Sequence, residues 1–149
     1  MRTAKEILFH MYTAEKILAE AVQRGELLEE GSKEYTPEDE IGAAAASKIR
    51  TVKDMQQYAQ LCHDNASEAL AEITDAELAR TVRSTFGEFT GAQFLTFLYD
   101  EHWHHRGQFY TYLRLMEKEH GSHHLPHLHA YYQEHVGIYG LDPIELIAG

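Results

Sequence analysis

Apolar residues recur at three- and four-residue spacing in three long stretches of the chain, and the segments between them are short and rich in turn residues. In the first stretch Ile7, His10, Met11, Ala14, Ile17, Leu18, Ala21 and Val22 share one face, the spacing of an amphipathic helix. Thr3-Ala4-Lys5-Glu6 opens it as a capping box, the Thr side chain placed to accept from the Glu6 amide and the Glu to reach back. A helix over residues 4–24 follows, ending near Gly25. The second stretch, Val52, Met55, Ala59, Cys62, Ala66, Ala69 and Ile73, keeps its alternation of threes and fours without a slip. It predicts a bundle helix over 52–73 capped by Thr51. The third opens on Thr90-Gly91-Ala92-Gln93, runs over 91–119, and is ended by Gly121 and Pro126.

The intervening segments are less firmly specified. Gly31 to Tyr35 reads as a loop. Thr36-Pro37-Glu38-Asp39-Glu40 predicts a helix start with Thr36 as N-cap and Pro37 at the first helical position, leading into a weak helix through the alanines 43–46 that breaks near Arg50. Thr74-Asp75-Ala76-Glu77 opens a short helix through about Arg83, and Ser84 to Glu88 reads as an irregular connection. A last short helix over about 127–135 precedes an irregular tail from about 137. No alternating strand pattern appears, so the expectation is a single all-α domain over 1–149.

Composition narrows the function classes. With 149 residues, 44% of them hydrophobic, 25% charged and only 3 proline, the chain can bury a sizeable core. A formal net charge of −11 argues against a nucleic-acid surface, which wants clustered Lys and Arg. No 18-residue apolar run and no signal-peptide pattern occurs, so no membrane association is expected. Cys62 is the only cysteine; it rules out an internal disulfide, favours a reducing compartment, and makes the cytoplasm the expected location. Small molecules, or a second copy of the chain, are the expected partners.

Histidine is the compositional outlier, 11 in all, five of them between His120 and His129. That cluster surrounds Gly121, Ser122 and Pro126, and reads as a solvated surface tract. The informative stretch is Asp100 to Gln108. At about 100° per residue, Phe94, Leu98, Glu101, His105, Gln108 and Tyr112 fall in one narrow arc, so Glu101 and His105 point where a core should be. His102 and His104 flank the arc, and Trp103 points away from it. A buried carboxylate costs several kcal/mol unless it is paired, protonated or metal-bound. Glu and His at i and i+4 project two donor atoms from one helical face, as carboxylate–histidine metal sites in helical bundles do; hydrogen bonding among core polar groups without metal is the other reading. Cys62 reads as a small core residue. Tyr99, Trp103 and Tyr110 form an aromatic stripe on the back of the helix and predict a homodimer.

His104-His105-Arg106-Gly107-Gln108, with the following Phe109 to Arg114, resembles the hallmark of the DinB-like superfamily of metal-binding four-helix bundles. Thr74 to Val82 and Gly87 to Phe94 are similar to its lead-in, and Glu6 to Met11 is similar to the segment that carries the first ligand. The resemblance implies a DinB-like four-helix bundle, here lacking the family's usual first helix, with the open seam covered by other parts of the chain or by a second subunit. It implies metal ligands at His10, Glu101 and His105, where Glu101 stands in the place of the family's usual histidine and His102 beside it is the alternative. The implied cofactor is a divalent ion, zinc or nickel. Relatives implied by the resemblance are thiol S-transferases using low-molecular-weight thiols and a thiol-dependent maleylpyruvate isomerase. The implied activity is then a metal-dependent transferase or hydrolase in which the ion lowers the pKa of a thiol or water. Catalytic side chains are not identified, though His102 or His104 could serve as a base. A non-catalytic stress-related bundle, with a structural metal or none, is the alternative.

Overall fold

The computed structural model describes residues 2–120, with side-chain surroundings as far as residue 115. The expected helix over 127–135, the tail after it and the side chains of the His120 to His129 cluster lie outside the described residues. The elements are α1 (Ala4–Arg24), α2 (Glu29–Glu34), α3 (Glu40–Ala46), α4 (Val52–Glu72), α5 (Asp75–Ala79), β1 (Thr81–Ser84), β2 (Gly87–Thr90) and α6 (Gly91–His120). Contacts group Met1–Phe109 into one compact unit and Tyr110–Gly149 into another. In the second unit only the continuation of α6 is described.

The three long helices occupy the three periodic stretches, and their starts are set locally. The Thr3 hydroxyl accepts from the Glu6 amide, and the Glu6 carboxylate accepts from the Thr3 amide at 2.6 Å. Thr51 with Asp54 and Thr90 with Gln93 repeat the arrangement at α4 and α6. Such a cap contributes about 1 kcal/mol. Gly25, at φ 82°, closes α1 in the left-handed conformation that glycine adopts without strain. The Arg80 guanidinium then satisfies the last α1 carbonyls, donating to Val22 and Gln23 at 2.9 and 2.7 Å.

Packing of α1 along α4 makes the spine of the first unit. Ala19 on α1 meets Ala66 and Ala69 on α4, small side chains that let the two backbones approach, and Leu98 of α6 rests against them. Ile17, Leu18 and Val22 of α1 bury Phe94 of α6 and Val82 of β1 in one cluster. Phe9, Ile49, Met55 and Ala59 form a second. Phe94 is fully buried, and burial of a side chain of that kind contributes about 1.5–3 kcal/mol. Among the described residues no helix is long and apolar enough to cross a membrane. Among the described residues the fold is all-α apart from one hairpin.

That hairpin replaces the expected irregular connection. β1 and β2 pair antiparallel from Thr81 with Thr90 to Ser84 with Gly87, and α5 ends at Ala79 rather than near Arg83. The exchange of backbone bonds between Arg83 and the segment after α1 ties the hairpin down: Leu27 donates to the Arg83 carbonyl at 2.7 Å and Arg83 to the Gly25 carbonyl at 3.1 Å. Two further expectations are corrected. Residues 29–34 form α2 rather than a loop, and α3 is capped by Asp39, whose carboxylate accepts from the Ile41 amide. Thr36 does not serve as the cap because its hydroxyl donates back to the Ser32 carbonyl at 2.8 Å.

Candidate metal centre

His10 lies in the first third of α1 on its core face and is buried. Glu101 and His105 stand one turn apart on α6, so the helix itself fixes their spacing. The three meet. His10 Nε2 is 3.2 Å and His105 Nε2 3.0 Å from the same Glu101 oxygen, Oε2, and the imidazole rings meet edge to face with centroids 4.6 Å apart. Among the described residues these form the one group of three whose donor atoms all lie within 4.8 Å of one another.

Where the ring hydrogens sit decides what this group can do. A neutral imidazole has one N–H and one lone pair. The Tyr35 carbonyl lies 2.5 Å from His10 Nδ1; a carbonyl only accepts, so Nδ1 carries the hydrogen and neutral His10 turns a lone pair toward Glu101. His105 repeats the pattern, with Nδ1 donating to Gln108 Oε1 at 2.8 Å. Two lone pairs and a carboxylate oxygen then converge on one point. Such a set needs positive charge, either protons on both Nε2 atoms or a single cation. Two histidines, one carboxylate and an open position make a donor set that suits a divalent ion, and the outer partners at Tyr35 and Gln108 are those that ligating histidines require.

The carboxylate remains an anion either way. With hydrogens on both Nε2 atoms, contacts from His10, then His105, hold the Glu101 carboxyl far below the usual carboxylate range, against the opposing effect of burial. Glu101 is also the half-exposed member between two buried imidazoles, which leaves one side of the centre open to solvent. The Tyr35 ring tilts against His10 with centroids 5.4 Å apart, and burial pushes its hydroxyl pKa up.

An all-helical bundle carrying a three-donor set of two histidines and a carboxylate defines the class of the protein as a helical bundle with a possible metal site. The family model described as the DinB superfamily matches residues 1–109, a span that contains all three donors, and the chain belongs to that superfamily. No curated protein and no solved structure matches it.

The flanking histidines separate. His104 Nε2 faces the Gln108 amide nitrogen at 2.9 Å, so it belongs to the outer support of the centre. His102 instead faces a second carboxylate, Glu15 of α1. Its Nε2 lies 3.2 Å from Glu15 Oε2, while His63 Nδ1 of α4 lies 2.9 Å from Glu15 Oε1. Glu15 is buried. Burial alone would raise its pKa, but the contacts from His102 and then His63 bring it below the usual value. Glu101 is therefore the carboxylate that meets His10 and His105, and His102 is engaged elsewhere. Cys62 is buried in the core with its thiol pKa pushed up by burial, the opposite of an activated thiolate.

Tyr35, which supports His10, and Glu15 and His63, which engage His102's surroundings, are residues that sequence reasoning did not select. Tyr35 acts through its backbone carbonyl, which leaves no residue-type signature. Glu15 did leave one: it lies four residues after Met11 and three before Leu18, an acid at the edge of an apolar face.

Proposed function

We propose that the chain is a divalent-metal-dependent enzyme of the DinB type, with the ion held by His10, Glu101 and His105, zinc or nickel being the ions that suit this set. The observation that carries the reading is the commitment of His10 Nδ1 to the Tyr35 carbonyl, which aims the opposite nitrogen at Glu101. When bound, the ion supplies a Lewis acid able to lower the pKa of a thiol or water at its open position. The protein's own groups orient the two imidazoles, keep Glu101 anionic and leave the Glu101 side accessible to a small substrate. A low-molecular-weight thiol is the substrate class we assign, with thiol S-transfer as the reaction and the cytoplasm as the location.

Metal content tests the assignment. Purified protein should carry one zinc or nickel per chain, and His10→Ala or His105→Ala should abolish binding while His124→Ala leaves it intact. Ligands found between His120 and His129 would refute the site. Because the donors come from two helices, α1 and α6, a non-catalytic bundle in which the ion only joins helices is the second reading. It predicts a metal-dependent rise in melting temperature with no turnover of any thiol tested.

We also propose a homodimer formed through the exposed back of α6, where Tyr99 and Trp103 pack with ring centroids 5.9 Å apart and Arg106 lies over the indole at 5.1 Å. Light scattering should give the mass of two chains. Trp103→Glu should give one.

A further inference from the structure

We propose that Gln108 is a positioning residue that sets His105 in its ion-binding tautomer, with His104 orienting the Gln108 amide in turn. The inference rests on the reading of His10, Glu101 and His105 as metal donors.

A primary amide presents an acceptor on one side and a donor on the other, so its two neighbours must be of opposite character. Gln108 Oε1 lies 2.8 Å from His105 Nδ1, and Gln108 Nε2 lies 2.9 Å from His104 Nε2. In this orientation His105 must bring a hydrogen at Nδ1 and His104 a lone pair at Nε2. The remaining nitrogen of His105, the one 3.0 Å from Glu101 Oε2, is then a lone pair and available to an ion. Reversing the amide would place its donor against His105 Nδ1. The ring would have to take its hydrogen at Nε2, where an ion would be excluded, and His104 would have to supply an N–H. The amide orientation, the His105 tautomer and the His104 tautomer therefore change together or not at all.

The two imidazoles of the centre differ in this respect. His10 is fixed by the Tyr35 backbone carbonyl, which has no second orientation. His105 is fixed by a side chain that has two. All three groups of the relay lie within one turn of α6, at i, i+1 and i+4, so the helix holds their spacing whatever occupies the centre. The position of Gln108 thus has a requirement beyond size: an acceptor must face His105 Nδ1.

The test is zinc affinity of the full chain, measured by chelator competition for wild type, Q108L, Q108E and H105A, with the melting temperature of each metal-free protein alongside. Leu matches Gln in bulk but cannot accept, and Q108L should bind roughly 10–100-fold more weakly, the usual loss when an outer partner of a metal ligand is removed. Glu still accepts from Nδ1–H, and Q108E should bind within about 3-fold of wild type or more tightly. Ring ¹⁵N shifts of His105 should report hydrogen at Nδ1 in wild type and a mixture of tautomers in Q108L. A merely structural role would lower the melting temperature of both variants and leave the tautomer unchanged. Zinc binding lost in H105A but retained in Q108L, or lost equally in Q108L and Q108E, overturns the proposal alone. Absence of zinc binding by wild type, or its retention in H105A, removes the metal reading and the proposal with it.

Discussion

The bundle holds two carboxylates that each meet two imidazoles, and the two sets are organised differently. At Glu101 both rings address one oxygen, Oε2, and both have their Nδ1 hydrogens directed away to Tyr35 and Gln108. At Glu15 the rings address different oxygens, His63 through Nδ1 and His102 through Nε2. A neutral His63 with its hydrogen at Nδ1 donates to Glu15 Oε1, and a neutral His102 with its hydrogen at Nε2 brings that nitrogen to 3.2 Å from Oε2. No choice of neutral tautomer turns two such hydrogens toward Glu101 while His10 keeps its bond to Tyr35. The same residue types thus make a set that could hold an ion in one place and a carboxylate shared between two separate imidazoles in the other, and the difference lies in where the outer hydrogen bonds go. Burial follows suit: Glu15 keeps 6% of its side chain exposed and Glu101 39%.

Removing each carboxylate should break this contrast most sharply. Glu15→Ala removes a buried carboxylate that accepts from His63 and pairs with His102, at a cost of about 2–3 kcal/mol and a melting temperature lower by roughly 5–10 °C, with or without metal. Added zinc should still raise its melting temperature as much as it raises that of wild type. Glu101→Ala should differ in its response to metal, with at least about a tenfold loss of zinc affinity from deletion of an anionic ligand beyond whatever the lost contacts to His10 and His105 cost the metal-free protein. Thermal denaturation with and without zinc reads both. An equal loss of zinc stabilisation in the two variants would erase the distinction between the centres.

The legible and illegible parts divide along the same line between local and non-local causes. Thr3, Glu6 and Gly25 specify α1 by contacts within a turn of its ends, and its limits were readable for that reason. The i, i+4 spacing of Glu101 and His105 is likewise a property of one helix. The hairpin was not readable, because four-residue strands with one fully buried side chain, Val82, carry no usable alternation. It exists through bonds from Arg83 to Gly25 and Leu27, more than fifty residues earlier in the chain. Thr36 misled for a similar reason: its residue type suits a cap, but the end of α2 takes its hydroxyl first. Pairing of Glu15 with His63 and His102 joins three helices, and no spacing along one helix predicts it.

Gly42 offers a smaller perturbation that should reach one centre and spare the other. A Cβ there would come within 2.1 Å of the Thr36 carbonyl oxygen and 3.0 Å of that of Lys33, so Gly42→Ala must displace backbone rather than a flexible side chain. Overpacking of this kind costs about 1–3 kcal/mol. The displaced segment includes Tyr35, whose carbonyl holds His10. Zinc affinity should fall along with stability, and a stability loss with affinity unchanged would show that His10 keeps its orientation without that carbonyl.

Acid should act on both carboxylates in the same direction, since both are held below the usual value, and substitution of Glu15 isolates its share. The folded pKa of Glu15 is depressed, so the native state favours the ionised form and the unfolded chain takes up the proton first as pH falls. The resulting stabilisation is fully present above the ordinary Glu value of about 4.3 and is lost as pH drops from there through the folded value. Glu15→Gln removes the titration while keeping one acceptor for an imidazole, so the variant begins less stable and its stability declines less between pH 5 and pH 3. Zinc-free protein is required for the measurement, since an ion at Glu101 would add an acid dependence of its own through its ligands. Parallel decline of wild type and Glu15→Gln over that interval, read from urea midpoints at each pH, would mean that Glu15 is not held as an anion by its two imidazoles.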